Sequence, residues 1–135
     1  MTVFKNKVFS RFARKEGLAD QDVCKAAAEV HNDEYDADLG GGVYKQRVAR
    51  EGGGKSGGFR TLVLFKRDHH TFFVYGYSKS TRSNIRADEL KALRRLADHL
   101  LNDSAEEIAT SVKAGALIEV ECDDDEVQYA TEAPD

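Results

Sequence analysis

Two apolar stripes at helical spacing occupy the first thirty residues. The first consists of Phe4, Val8 and Phe12, and the second of Val23, Ala27 and Val30. Residues that recur every three or four positions share one face of a helix, so we predict helices over 4–16 and from Asp20 to the acidic connection at 32–38. A short strand at 2–4 fits before the first helix. Gly17 suits a C-cap and Asp20 an N-cap, and the short turn between them favours two antiparallel neighbours.

After the acidic connection the pattern changes to β-branched and aromatic residues. It predicts three antiparallel strands, over 43–50, 59–66 and 71–79. The link between the last two has hairpin length and carries His69 and His70. We interpret these histidines as polar turn residues rather than as a general acid and base, because a hairpin tip lies far from a sheet face.

The alternation of side chains along these strands indicates a cationic face. Residues two apart share a face, which groups Lys45 with Arg47 on the first strand. The same rule groups Phe73, Tyr75, Tyr77 and Lys79 on the third strand. Arg60 opens the second strand. If helices pack on the other face, the solvated face gathers Lys45, Arg47, Arg60, Tyr77 and Lys79.

The C-terminal third predicts two more helices. Apolar spacing indicates a helix over 88–102, and a capping box from Ser104 to Glu107 opens a fourth that ends at Gly115. Residues 116–121 are predicted to be extended, and 121–135 to form a disordered acidic tail. The fold class is therefore α+β, with two N-terminal helices packed on a small antiparallel sheet and C-terminal helices after it.

Charge is distributed unevenly along the chain. The net charge is −4. Residues 43–86 nevertheless hold 10 bases and 2 acids, whereas 1–42 hold 6 bases and 8 acids, and 87–135 hold 4 bases and 14 acids. A basic block between acidic flanks is typical of a protein that binds a polyanion, although a solvated basic sheet face is the plainer alternative.

Glycine is concentrated beside these cations. Residues 40–60 contain eight of the 11 glycines, a composition that indicates a surface for phosphate groups. The segment 49–56 resembles a relaxed Walker A motif, but a strand-like run follows it where a P-loop needs a helix. Two interpretations stay open: a mobile glycine-rich hairpin loop, and a loop that presents Lys55 to nucleic acid.

Other features place the chain in a broad class. The length suits one domain, and no apolar run approaches the roughly 20 residues that span a membrane. The N-terminus lacks the apolar region of a secretory signal. Cys24 and Cys122 match no metal-binding spacing, so we predict two free thiols in a reducing cytoplasm. No acidic cluster lies on the basic face, and we expect no metal or other cofactor.

Three segments together resemble the RelE/HigB-type toxins of bacterial type II toxin–antitoxin systems. The most specific is the glycine, lysine and arginine signature from Gly41 to Arg60, and 73–85 resembles the last strand and following loop of that family. The N-terminal 4–17 is similar to a phage-associated subgroup. The resemblance covers residues 1–120 and leaves 121–135 as an acidic tail.

The resemblance implies the RelE-like fold, with a curved antiparallel sheet. It implies a bacterial, cytoplasmic endoribonuclease that cuts mRNA in the decoding site of the ribosome. It also implies a cognate antitoxin, usually a helix-turn-helix protein. A non-catalytic inhibitor of gyrase or another protein, and an RNA-binding module without nuclease activity, are the alternatives.

Such a nuclease uses the ribose 2′-OH to attack the adjacent phosphate, which requires a base, an acid and cations for the developing charge. Lys45 or Lys79 is the predicted base or acid, and Arg47 and Arg60 are the predicted phosphate stabilisers. The remaining predicted RNA contacts are the backbone-binding Lys55 and Arg82, and Tyr77, which stacks on a base or orients the nucleotide.

Overall fold

The computed structural model describes residues 2–50 and 54–122, without the side chains of 50 and 54–57. The described elements, in chain order, are β1 Val3–Asn6, α1 Lys7–Glu16, α2 Asp20–His31, β2 Ala37–Asp38, β3 Val43–Arg50, β4 Gly54–Phe65, β5 Thr71–Ser78, α3 Ala87–Leu100, α4 Ala105–Lys113 and β6 Leu117–Val120. The strands form one sheet in the order β2-β3-β4-β5-β1-β6. All neighbours are antiparallel except β1 and β5, which are parallel. The α+β class is confirmed, with four helices and a six-stranded sheet in the described part.

The N-terminal helix begins later than predicted. Residues 3–6 form β1, and the Asn6 side chain accepts a hydrogen bond from the Phe9 amide at 2.8 Å, which starts α1. Phe4 is buried in the sheet core rather than on a helix stripe. The predicted C-cap is confirmed, because Gly17 has φ 74° and its amide bonds the Ala13 carbonyl. Asp20 is the first residue of α2 and not its cap.

The C-terminal predictions agree closely with the structure. Ser104 accepts a hydrogen bond from the Glu107 amide at 3.1 Å, and its own amide donates to the Glu107 carboxylate at 2.9 Å. This is the predicted capping box, and it starts α4. The segment predicted to be extended contains β6, which pairs with β1 at the edge of the sheet. Residues 123–135 of the predicted tail lie outside the described residues.

Helices pack on both faces of the sheet. One face carries α1 and α2 over a core that includes Phe9, Val23, Ala27, Val63 and Phe73. The other face carries α3 and α4 over a core that includes Val43, Leu64, Phe72, Ala97 and Leu101. The second face was predicted to be wet, and that prediction is wrong at the end where α3 lies. The opposite end of this face holds the cationic side chains.

A bulge in the pairing of β4 with β5 corrects the predicted side-chain alternation. Leu62 is opposite Tyr75 and Val63 is opposite Phe73, so one residue of β5 is skipped. Phe73 therefore turns to the α1 face, where its ring lies 5.3 Å from that of Phe9. Tyr75 and Tyr77 stay on the other face. The prediction that all three aromatic residues share a face was wrong.

The glycine triplet 40–42 forms the hairpin turn between β2 and β3. All three residues have positive φ, between 65° and 85°. A Cβ at Gly42 would lie 2.7 Å from Leu101 Cδ1, so the turn packs directly against α3. These three glycines are therefore required by the fold, and the predicted phosphate-binding surface of residues 40–60 stays a prediction.

The two cysteines form a disulfide, which overturns the prediction of free thiols. Their Cα atoms lie 5.6 Å apart although 98 residues separate them. The fold brings the end of β6 against α2, and spacing along the chain carries no sign of that approach. Among the described residues, no helix has both the length and the apolar character to cross a bilayer.

Candidate functional site

Three predicted site residues form one row across the sheet, which we call the cationic row: Arg47, Arg60 and Tyr77. Arg47 pairs with Arg60 across β3 and β4, and Arg60 pairs with Tyr77 across β4 and β5. Directly opposite residues in a sheet project to the same face, with Cβ atoms roughly 5 Å apart. The grouping of these side chains was predictable from strand parity. The order of the row was not, because it depends on the register.

An acidic side chain lies against the row. Asp36 accepts a hydrogen bond from Arg47 Nε at 3.0 Å, and its second oxygen lies 3.9 Å from Arg60 Nε. Its amide donates to the Lys45 carbonyl at 2.9 Å, which fixes the residue at the start of the β2–β3 hairpin. Asp36 was missed because it lies in a segment predicted as a connection. The signal was the glycine triplet, since a hairpin turn there folds residue 36 back beside 46 and 47.

Two polar atoms of the row are buried without a hydrogen-bond partner in the described structure: Arg60 Nη1 and the Tyr77 hydroxyl. Their residues are only 5% and 4% exposed. A buried donor without a partner costs about 1–3 kcal/mol, so folded proteins seldom keep one unless water or a ligand satisfies it. Burial raises the pKa of Tyr77 above its usual range, although Arg60 and Arg82 oppose the shift. Tyr77 is therefore a neutral phenol whose hydroxyl can donate a hydrogen bond to an anion.

Arg82, predicted to hold RNA, is committed to neighbours within the protein. Its guanidinium donates to both oxygens of Glu89, one of them at 3.1 Å, and to the Tyr75 hydroxyl at 3.0 Å. Its Nε donates to the Asn84 carbonyl at 3.0 Å. The hydrogen bonds from Arg82 lower the pKa of Glu89 to about 2. Arg82 is thus a brace between the loop after β5 and the start of α3.

The predicted lysines are less closely grouped. Lys45 is half-buried on the same face as Arg47, two residues away and opposite Leu62. Lys79 is exposed in the turn just after β5 ends. The side chain of Lys55 lies outside the described residues. The row therefore has one lysine beside it on the same strand, and no contact in the described structure joins Lys79 to it.

His69 and His70 lie in the turn between β4 and β5, as predicted, and therefore away from the row. His31, His69 and His70 line a cleft of about 600 Å³ together with Arg67. Burial, followed by the charge of Arg67, lowers the pKa of His31 to about 4. A side-chain hydrogen bond at 2.8 Å joins His31 Nε2 to Thr71 Oγ1. Within the ranges 2–50 and 54–122, no group of three or more acidic, histidine or cysteine side chains is arranged to hold a metal ion.

Comparison with known families gives an independent result. Residues 1–120 match the family described as RelE toxin of RelE / RelB toxin-antitoxin system. The chain belongs to the RelE toxin family. It is the toxin of a toxin–antitoxin module, and RelE family toxins pair with a cognate antitoxin. No curated protein matches the sequence. The matched residues of this RelE toxin include the whole cationic row and Asp36.

The site combines two fixed cations with a neutral donor at one end of a sheet face. Arg47 supplies an exposed charge, while Arg60 and Tyr77 supply buried donors that the protein leaves unused. Guanidinium groups match the geometry of phosphate oxygens, and a donor in a buried site interacts more strongly than one in water. The arrangement is suited to a phosphate group on which negative charge increases during a reaction.

Proposed function

We propose that this RelE toxin is a ribosome-dependent endoribonuclease that cuts mRNA and so inhibits translation. The observation that carries the proposal is the pair of unused buried donors, Arg60 Nη1 and the Tyr77 hydroxyl, beside the charge of Arg47. These groups lie where a scissile phosphate would meet two cations and a neutral donor together. The basic block of residues 43–86 supplies the longer-range attraction for RNA.

The proposed reaction is attack of a ribose 2′-OH on the adjacent phosphate. The 2′-oxygen forms a bond to phosphorus, its proton passes to a base, and the 5′-oxygen leaves with a proton from an acid. Arg60 and Arg47 stabilise the added negative charge in the transition state. Tyr77 donates a hydrogen bond to a phosphate oxygen. This role fits its burial better than stacking on a base, because the Arg82 guanidinium lies 5.5 Å from the ring centre.

Lys45 and Lys79 are the proposed acid–base groups. Lys45 shares a strand and a face with Arg47, at a spacing of roughly 7 Å between Cα atoms. Lys79 follows the strand that carries Tyr77 and is exposed, so it is placed to meet a bound strand of RNA rather than the row itself. We assign the proton transfer nearer the row to Lys45. Lys55 remains a proposed backbone contact.

Several broader proposals accompany this function. Residues 1–120 form the toxin domain with the RelE-like fold, in the phage-associated subgroup, and 121–135 form an acidic tail. The partner is a helix-turn-helix antitoxin, and the setting is the bacterial cytoplasm. The chemistry proposed here uses only side chains of the chain and so requires no metal or cofactor.

The test is primer extension on mRNA held in a programmed ribosome, with free mRNA as the control. Wild-type protein is compared with Arg60→Ala and Arg47→Ala. Arg67→Ala is the matched control, since that arginine is exposed at the opposite hairpin, away from the row, and forms an ion pair with exposed Asp33. Cuts that need the ribosome, persist in the control and vanish in both row variants support the proposal. Growth arrest with intact mRNA overturns it in favour of an inhibitor of gyrase or another protein, and RNA binding with neither effect favours a binding module.

A further inference from the structure

We propose that Asp36 is a positioning residue that holds Arg47 and Arg60 in the orientation that presents Arg60 Nη1 to phosphate. The part of the proposal that concerns cleavage depends on the proposed nuclease function, whereas the orientation itself does not. Asp36 would not touch the RNA. It acts through the two guanidinium groups that it contacts.

The contacts of Asp36 select particular atoms of both arginines. Its two oxygens face Nε of Arg47 and Nε of Arg60, at 3.0 and 3.9 Å. A carboxylate at the Nε side of a guanidinium restrains the plane of that group while it leaves terminal nitrogens for another partner. Arg60 Nη1 is the terminal nitrogen that the described structure leaves unpaired. At 3.9 Å the contact with Arg60 is an ion pair without a hydrogen bond, so it restrains Arg60 less than Arg47.

The charges of the row require such an acid. Arg47 and Arg60 are directly opposite on neighbouring strands, an arrangement in which like charges repel. The Arg60 side chain is only 7% exposed and water cannot screen it fully. A half-buried carboxylate between them offsets the repulsion and the cost of burying a charge. Without it, the guanidinium groups would turn apart toward solvent.

Backbone contacts outside the cationic row hold Asp36 in place. Its amide bonds the Lys45 carbonyl, and the hairpin that it begins turns at the glycine triplet against α3. Arg94 of α3 donates a hydrogen bond to the Leu39 carbonyl in the same hairpin. The backbone of Asp36 is thus held by the hairpin and by the packing of α3 on it, independently of the two arginines.

This arrangement predicts opposite effects on RNA binding and on cleavage. An acid beside the row repels phosphate, so Asp36→Asn should strengthen RNA binding at low salt by roughly 2–10-fold. The same change loosens the guanidinium groups, so the rate of cutting on the ribosome should fall roughly 10–100-fold. Asp38→Asn is the matched control: it makes the same charge change in the same hairpin, and asparagine keeps the bond that Asp38 Oδ1 accepts from the Gly40 amide.

Affinity is measured by fluorescence anisotropy with a single-stranded RNA, and cleavage by single-turnover primer extension. Stronger binding with slower cutting in Asp36→Asn, and no loss of cutting in Asp38→Asn, supports positioning. A rise in both quantities would show that Asp36 only repels RNA. A fall in both, with a lower melting temperature, would show a general structural role. Either result overturns the proposal.

A second readout separates this proposal from the nuclease function. The arginine Nε–Hε signals in nitrogen-15 NMR spectra of the full chain report on Arg47 and Arg60 directly. We expect both to shift in Asp36→Asn and to stay in place in Asp38→Asn. If wild-type protein cuts no RNA, the nuclease proposal fails, and these shifts alone decide whether Asp36 positions the row. Unchanged signals would overturn it.

Discussion

Two arginines that sequence reasoning placed in one site differ in how the fold uses them. Arg82 donates to Glu89, Tyr75 and Asn84, so its donors serve the loop after β5 and the start of α3. Arg60 is more deeply buried, yet its Nη1 has no hydrogen-bond partner in the described structure. The more costly environment therefore surrounds the less satisfied cation. A buried donor without a protein partner is available to a group that comes from outside.

The two regions are also physically joined. The Arg82 guanidinium lies 5.5 Å from the centre of the Tyr77 ring, and Tyr77 is the neighbour of Arg60 in the cationic row. Arg82 thus packs against one residue of the row, Tyr77, while Arg60 is itself part of the row. The comparison predicts that loss of Arg60 removes activity and spares the fold, whereas loss of Arg82 weakens the fold and has a smaller effect on activity.

The largest expected effect acts on both regions alike and tests whether they share one fold. The disulfide closes a loop across 98 residues, and opening a loop of that size lowers the free energy of unfolding by about 4.7 kcal/mol in the chain-entropy account. We expect the double variant Cys24→Ser, Cys122→Ser to unfold at a lower urea concentration than the wild type. The free energy of unfolding obtained from the urea curves should be lower by about that amount. A reducing cytoplasm disfavours disulfides. Thiol alkylation in lysed cells should establish whether Cys24 and Cys122 are present as the disulfide or as free thiols.

Under conditions where it is folded, the double variant should still cut RNA, because the disulfide joins α2 to the residue just after β6 and lies away from the row. Wild-type protein treated with a dithiol reductant is the control and should match the variant. A variant that is as stable as the oxidised protein would contradict the chain-entropy argument. A folded variant without activity would show that the site depends on the disulfide.

The next largest effect separates the two arginines directly. Arg60→Met replaces a buried cation with an apolar side chain of similar length. Asp36 keeps its ion pair with Arg47, so no buried charge is left uncompensated and we expect little loss of stability. Loss of a buried donor to the reacting phosphate should reduce cleavage by about 10²–10³-fold. The measurements are urea denaturation and single-turnover cutting on the ribosome. Unchanged cutting, or a large loss of stability, would contradict the assignment of Arg60 to the site.

Part of this comparison was accessible from the sequence. Periodicity predicted β3 with its observed bounds, and strand parity placed Arg47, Arg60 and Tyr77 on one face. Local sequence also predicted the capping box of α4, because its partners are three residues apart. These features depend on short-range geometry that the order of residue types encodes.

The features that were missed depend on contacts between distant parts of the chain. The two-residue strand β2 has no pattern of its own and is defined by pairing with β3, so Asp36 was assigned to a connection. The bulge at Leu62 and Val63 changes the face of Phe73 without a glycine or proline to mark it. Nothing in the sequence distinguishes the pair formed by Arg82 and Glu89 from any other basic residue near an acidic one. Register and partner choice are set by packing, which a linear pattern does not contain.

A smaller effect concerns acid stability at the hairpin end of the sheet. The pKa of His31 is lowered to about 4 by burial and by Arg67, below its unfolded value of 6.5. As pH falls, His31 therefore binds a proton in the unfolded chain before it does so in the folded chain. The contribution of neutral His31 to stability is complete above pH 6.5 and is lost as pH falls toward 4. It amounts to about 2 kcal/mol at most once partial solvent access is considered.

Urea denaturation from pH 7 to 4 measures this loss. His31→Gln is the variant of choice, since glutamine can still bond Thr71 Oγ1 but does not titrate in this range. We expect its stability to change less with pH over this interval than that of the wild type. His69→Gln is the control, because His69 is exposed in the same cleft. Equal pH dependence in the wild type and both variants would assign the acid loss to other groups.

The smallest effect tests the brace. The pKa of Glu89 is lowered to about 2 by hydrogen bonds from Arg82, so the ionised pair stabilises the fold above the unfolded pKa of 4.5 and loses that contribution as pH falls toward 2. Arg82→Met should lower the melting temperature by a few degrees at pH 7, and that difference from the wild type should shrink as Glu89 is protonated. Cleavage should fall less than about tenfold, because the brace positions Tyr77 without donating to the phosphate. Arg86→Met is the comparison variant: this exposed arginine of the same loop pairs with exposed Asp88 at 3.1 Å and reaches Glu89 only at 3.9 Å. If Arg82→Met abolished cutting as fully as Arg60→Met while it stayed folded, Arg82 would belong to the reacting site, and the contrast between the two arginines would be wrong.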